Sequence, residues 1–223
     1  MKLSEILFNS VEHIWNSYLT HPFITKMADG TLEIEKFKYY MLQDYVYLKD
    51  YIKVFAVGST KSDEFDEIKF FCDNMYAVLD ETYKVHIPYM KRLGITEKDI
   101  MNVKPHIDNT SYTKYMLYEG QNGNMLSCLI AILSCSWSYA FISKKIVEKN
   151  KSCLENETYG EWFNGYYCKE YQETNEKLIQ KVDNLSNNLS QKTIDKLTEI
   201  FVNCSIYEAK FWDLAYDSKN YLN

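Results

Sequence analysis

The chain has 223 residues, 46% hydrophobic and 25% charged, which is enough to bury a core, and its 7 Gly and 3 Pro are too few for the turns of an all-β protein. A net charge of −6, with no block of Lys or Arg, excludes a protein that grips nucleic acid through its phosphates. The opening MKLSEILFNSVEHIW carries Glu5 and Glu12 among its apolar residues and does not read as a signal peptide; six cysteines without CxxC or metal spacing then read as reduced thiols of a cytoplasmic protein that holds no metal.

Apolar periodicity predicts helices over roughly 2–18, 33–59, 62–91, 109–119, 123–149, 156–183 with a break near its middle, and 190–217. Breaks are expected at His21-Pro22, Asp29-Gly30, Leu93-Gly94, Lys104-Pro105 and Gly120–Gly123. No segment alternates as a strand, so the fold class is all-α, with one domain over 1–223 folded as a helical bundle. The 20 tyrosines stand out; each ring brings an apolar body and a polar tip, which suits a flat, partly polar pocket, although half-buried packing explains most of them equally well.

In chain order, the second predicted helix carries an apolar stripe of Ile34, Phe37, Met41, Asp44, Leu48, Tyr51 and Phe55, flanked by Tyr40 and Tyr47. Asp44 interrupts that stripe. Either a tyrosine or a backbone group satisfies it, or the stripe is rotated so that it faces water, or it awaits a ligand. The run Gly120–Ser143 has no charged residue; its strongly apolar part is shorter than the ~20 residues of a membrane span, so it reads as a buried central helix and no membrane is expected. On it Cys128, Ile132, Cys135, Tyr139, Ile142 and Ile146 share a face, and Cys135 alone is consistent with an ordinary core thiol. Tyr159, Trp162 and Tyr166 share a face of the sixth predicted helix. On the last, Glu208 interrupts Leu197, Phe201, Cys204, Phe211 and Ala215.

Three helices thus each place one ionisable or nucleophilic group on an otherwise apolar face. If the faces meet in a bundle, a thiol, two carboxylates and several tyrosines supply a nucleophile, an acid and a substrate anchor. The same residues also fit three unrelated buried polar groups.

At these positions the sequence resembles the thiaminase II (TenA-like) family. The resemblance rests on YYMLQDYVYL (39–48), SYTKYML (111–117), LSCSWSY (133–139), YGEWFNGYY (159–167) and IYEAKFW (206–212), in the family's order and spread over nearly the whole chain. It implies a heme-oxygenase-like all-α fold, a homotetramer, no cofactor, and hydrolysis of the bond between a 5-methylene and nitrogen on a 4-amino-2-methylpyrimidine. The substrate is thiamine or 4-amino-5-aminomethyl-2-methylpyrimidine, and the product is the hydroxymethyl pyrimidine. By motif, Cys135 matches the nucleophile and Glu208 the proton donor, and Tyr47 matches the tyrosine that raises the thiol's reactivity. Asp44, Tyr139 and Tyr166 match the residues that hold the pyrimidine, and Tyr112 and Phe211 its walls. The wording after Trp162 departs from the family pattern at Tyr166. Cys135 sets the chain apart from the subfamily without a central cysteine.

Rival chemistries are less well supplied. A heme protein of this fold would use His13 on the first helix, but Asp44, Glu208 and Cys135 are poor surroundings for an anionic porphyrin. A di-iron centre would need Glu-x-x-His, which none of His13, His21, His86 and His106 provides. A protein that binds an aminopyrimidine without turnover stays as the alternative, and Cys135 and Glu208 argue against it.

Overall fold

The computed structural model describes residues 1–217, and among them there is no strand. The helices are α1 (Leu3–Tyr18), α2 (Pro22–Ala28), α3 (Ile34–Thr60), α4 (Phe65–Glu81), a π turn (Thr82–His86), α5 (Ile87–Arg92), α6 (Glu97–Asn102), α7 (Ile107–Asn122), α8 (Met125–Lys149), a 3-10 turn (Lys151–Glu155), α9 (Gly160–Tyr167), α10 (Lys169–Leu185) and α11 (Gln191–Tyr216). Apart from 62–91 the long predicted helices are present, and the break expected inside 156–183 falls at Cys168. Two short helices went unread because six or seven residues are too few for periodicity. Their caps were nevertheless in the sequence. Pro22 opens α2 behind His21, whose Nδ1 accepts from Phe23 N–H at 3.1 Å. Thr96 and Asp99 form a reciprocal capping box on α6.

The predicted helix 62–91 is in fact α4, the π turn and α5. Pro88 lacks the N–H that would bond residue 84, and its ring would collide with that carbonyl in an α-helix. The π turn opens the spacing there, with Ile87 N–H bonded to the carbonyl of Thr82. The run ends at Gly94, whose φ of 78° closes the helix in the left-handed conformation that glycine adopts without strain.

The chain forms two compact units. The first takes Met1–Leu32 and Leu133–Trp212, and the second takes Glu33–Ile132 and the chain from Asp213. In the first unit α1 buries Leu3, Leu7, Val11, Trp15 and Tyr18. The Trp15 ring lies 5.5 Å from Trp137 and Phe141 and 5.7 Å from Phe201. Its indole N–H donates to Ser205 Oγ at 3.0 Å, and Ser134 Oγ lies 3.1 Å from the same atom. The Trp15 indole donor is thereby satisfied inside this aromatic core.

In the second unit α3 is the spine. Phe37, Met41, Asp44, Tyr51 and Phe55 are buried as the stripe predicts, while Ile34 at the helix start is exposed and Leu48 is half-buried. A Cβ on Gly58 would stand 2.2 Å from the buried ring of Phe71, so this glycine is what lets α3 and α4 approach. Gln43 clamps the chain before α7: its amide donates to the carbonyl of Lys104 at 3.0 Å, and its Oε1 accepts from His106 N–H at 2.8 Å and from Asn109 Nδ2 at 3.1 Å.

Most of the charge-free run lies in α8, which by length and composition alone could cross a membrane. Inside the fold, 72% of its most apolar window is buried, which marks it as a core helix.

Candidate active site

Cys135, Tyr139, Tyr166, Glu208 and Phe211 belong to the first unit, and Asp44, Tyr47 and Tyr112 to the second.

In the first unit α8 presents Cys135 and Tyr139, α9 presents Tyr166, and α11 presents Glu208 and Phe211. Glu208 is 2% exposed and Phe211 equally buried. The Tyr139 ring is 4.8 Å from Tyr166, 5.7 Å from Trp162 and 5.3 Å from Trp212. Gln172 of α10 holds this cluster in register, because its amide donates to the carbonyls of Ala140 at 3.1 Å and Tyr166 at 2.7 Å. The aromatic pair expected to hold a ring therefore stands on two helices joined by one side chain.

The thiols of the chain differ in access. Cys128 and Cys204 are buried, Cys72 and Cys168 are exposed, and Cys135 is half-buried. Burial pushes the Cys128 thiol up to about 11, and it raises Cys153 as well. A nucleophile must reach its substrate and be able to ionise. Of the two thiols on α8, only Cys135 is partly open.

Tyr18 of α1 is a member of this region that the sequence reading missed. Its hydroxyl donates to the backbone carbonyl of Ser205. Its pKa is pushed well above the ordinary phenol range, first by burial and then by the charge of Glu208, with smaller contributions from Cys135 and Cys204. Acid, thiol and phenol therefore share one electrostatic neighbourhood. Nothing in the sequence separates Tyr18 from a packing tyrosine, since it simply continues the α1 stripe.

In the second unit Asp44 is 6% exposed, which removes the possibility that it faces water. Its partner is neither a tyrosine nor the backbone. Asp44 Oδ2 lies 3.2 Å from Nδ1 of His86, and His86 Nε2 lies 3.7 Å from Glu81 Oε1. Neither Asp44 Oδ2 nor His86 Nδ1 makes a well-aligned hydrogen bond, so the contact is an ion pair. Burial pulls the imidazole pKa down, but the contacts with Asp44 and Glu81 outweigh it and raise it to about 10. His86 was weighed in the sequence only as a metal ligand. The signal that could have found it is Pro88, two residues on, which reorients the helix face.

Tyr47 stacks on Tyr51 at 5.4 Å and meets Tyr112 at 5.2 Å. Its hydroxyl donates to Met116 Sδ at 3.6 Å, and the Tyr51 hydroxyl donates to the carbonyl of Ile132 at 3.3 Å. Tyr47 and Tyr112 thus form one aromatic surface in the second unit.

The family model described as TENA/THI-4/PQQC family matches residues 8–218. An aminopyrimidine aminohydrolase from Helicobacter pylori is 38% identical over 98% of this chain and 100% of its own length. Among solved structures, a TenA homologue protein from P. horikoshii OT3 superposes with a TM-score of 0.87 at 29% identity, covering 97% of this chain and 99% of that one. A domain of unknown function from Shewanella denitrificans with a heme oxygenase-like fold gives a TM-score of 0.78 at 17% identity, covering 99% of this chain and 94% of that one. The fold is therefore all-α and heme-oxygenase-like.

Proposed function

Because the chain belongs to the TENA/THI-4/PQQC family, we propose that it is an aminopyrimidine aminohydrolase of thiamine salvage. It hydrolyses the C–N bond at the 5-methylene of a 4-amino-2-methylpyrimidine, either 4-amino-5-aminomethyl-2-methylpyrimidine or thiamine, and releases the hydroxymethyl pyrimidine. The observation that carries this reading is the full-length similarity to the Helicobacter pylori aminopyrimidine aminohydrolase. The half-open thiol of Cys135, in the same unit as the buried Glu208, supports it chemically.

In this reading the Cys135 thiolate adds to an electron-poor ring carbon while Glu208 protonates a ring nitrogen. The ring, now electron-rich, expels the group on the methylene, ammonia from the protonated aminomethyl or the neutral thiazole from thiamine, and leaves an exocyclic alkene. Water adds to that alkene carbon and gives one proton to solvent, the ring proton returns to Glu208, and the thiolate departs as aromaticity is restored. Asp44 meets the amino group and neighbouring ring nitrogen edge-on, as a carboxylate meets an amidine. Tyr139 and Tyr166 hold the ring, Tyr112 and Phe211 wall it, and Tyr47 assists the thiolate. We read the chain over 1–223 as a single domain that works in the cytoplasm and without a cofactor.

The test is turnover of the two pyrimidines side by side, with the hydroxymethyl product measured by chromatography. Tight binding of either compound without product would overturn the hydrolase in favour of a binding protein. The assembly we propose is a homotetramer; exposed Phe65, Tyr76 and Met101 in the second unit support a covered apolar surface. Light scattering should then return four times the 26.5 kDa chain mass, and a monomer would refute it.

A further inference from the structure

We propose that His86 is a positioning residue that fixes the carboxylate of Asp44 for the substrate's amino group, an inference that rests on the aminopyrimidine reading above. Three observations within the second unit carry it. The side chains of Asp44 and His86 are 8% and 11% exposed and stand 3.2 Å apart. His86 comes from the π turn Thr82–His86, an irregularity at which Thr82 and His86 are both buried although α4 before it buries only Phe71. Glu81, 44% exposed, lies 3.7 Å from the other ring nitrogen, so a line of three groups runs from the buried carboxylate outward.

The physical reason is charge compensation. A lone buried carboxylate is strongly disfavoured, and a substrate such as a neutral aminopyrimidine brings no cation to offset it. An imidazolium already paired with Asp44 removes that requirement before substrate arrives. It also holds one carboxylate oxygen, which limits the rotamers of Asp44 and sets the direction of the edge offered to an amidine-like group. The high pKa of the imidazole is consistent with that role, since His86 is then protonated at neutral pH. Glu81 on the outer nitrogen keeps the ring from flipping, as a carboxylate does for other paired imidazoles.

Two variants separate the nitrogens. His86→Asn puts an amide where Nδ1 stands, while His86→Gln reaches the place of Nε2 and leaves Asp44 unsupported. KM for the aminomethyl pyrimidine should rise about tenfold or more in His86→Gln and by less in His86→Asn, with kcat per folded molecule within about threefold of wild type. Adding Asp44→Asn to His86→Gln should raise KM no further than Asp44→Asn alone, because both act through one contact. Equal KM in the two His86 variants, or a loss confined to kcat or to melting temperature, overturns the inference.

A second arm does not depend on turnover. Imidazole titration followed by 15N NMR should place His86 far above 6.5 in the wild type and move it toward that value in Asp44→Asn. An unmoved titration overturns the inference. A wild type that makes no product, with the titration as expected, overturns the hydrolase reading alone.

Discussion

Cys128 and Cys135 stand two helical turns apart on α8, so periodicity gives both the same face. Burial separates them: Cys128 is sealed and its thiol raised to about 11, while Cys135 is partly open. Cys135→Ser should therefore lower turnover by about 10³-fold or more while pyrimidine affinity stays within a few-fold, measured by kinetics and calorimetry on one preparation. Cys128→Ala should leave kcat unchanged and cost about 1 kcal/mol in packing. Glu208 calls for a different test because it is buried like a core residue. Glu208→Gln keeps the shape and can still hydrogen-bond, yet delivers no proton, so kcat should fall by about 10²–10⁴-fold with little change in binding. A variant that melts early but turns over normally per folded molecule would make Glu208 structural.

At the scale of the element, the π turn raises the question of what holds it. Pro88 makes a regular α-helix impossible at this point, but the packing that follows is the stronger constraint. Straightening the helix would rotate every later residue by about 100° and take Tyr89 and Met90 out of the core. Each such side chain is worth about 1.5–3 kcal/mol of burial, against about 1 kcal/mol for the hydrogen bond regained. Pro88→Ala should therefore keep the π turn, the KM and the melting temperature within about 1 kcal/mol of stability. A raised KM with an unchanged or higher melting temperature would show that the proline alone maintains the register. The same reasoning explains why the sequence pattern read 62–91 as one helix. A single inserted residue leaves hydrophobic spacing almost unaltered, although it turns the face on which His86 sits.

At the scale of the whole molecule, His86 links stability to pH. Its folded-state pKa is about 10 against 6.5 for a free imidazole, so the folded form holds the proton more tightly. The stabilisation is fully present below about 6.5 and is lost as pH rises toward 10. The buried Tyr18 phenol, also raised, adds to the decline only at higher pH, once an unfolded chain loses its phenolic protons. Melting temperature should therefore fall between pH 6.5 and 10 in the wild type and fall less steeply in His86→Leu. Equal slopes would mean that the pair carries no protonation-linked stability.

The amino-acid sequence by itself determined the all-α class, the long helices and the buried faces that carry Asp44, Cys135 and Glu208. Those properties depend on spacing along one helix, and the 3.6-residue period expresses them locally. The short helices α2 and α6 were readable only through their caps. The structure alone decided that Cys135 is the accessible thiol of α8, that Tyr18 stands in the field of Glu208, and that Asp44 is paired with His86. Each of these depends on which residues meet after the chain has folded back. Asp44 and His86 are 42 positions apart, the one on α3 and the other in a π turn that no helical period encodes.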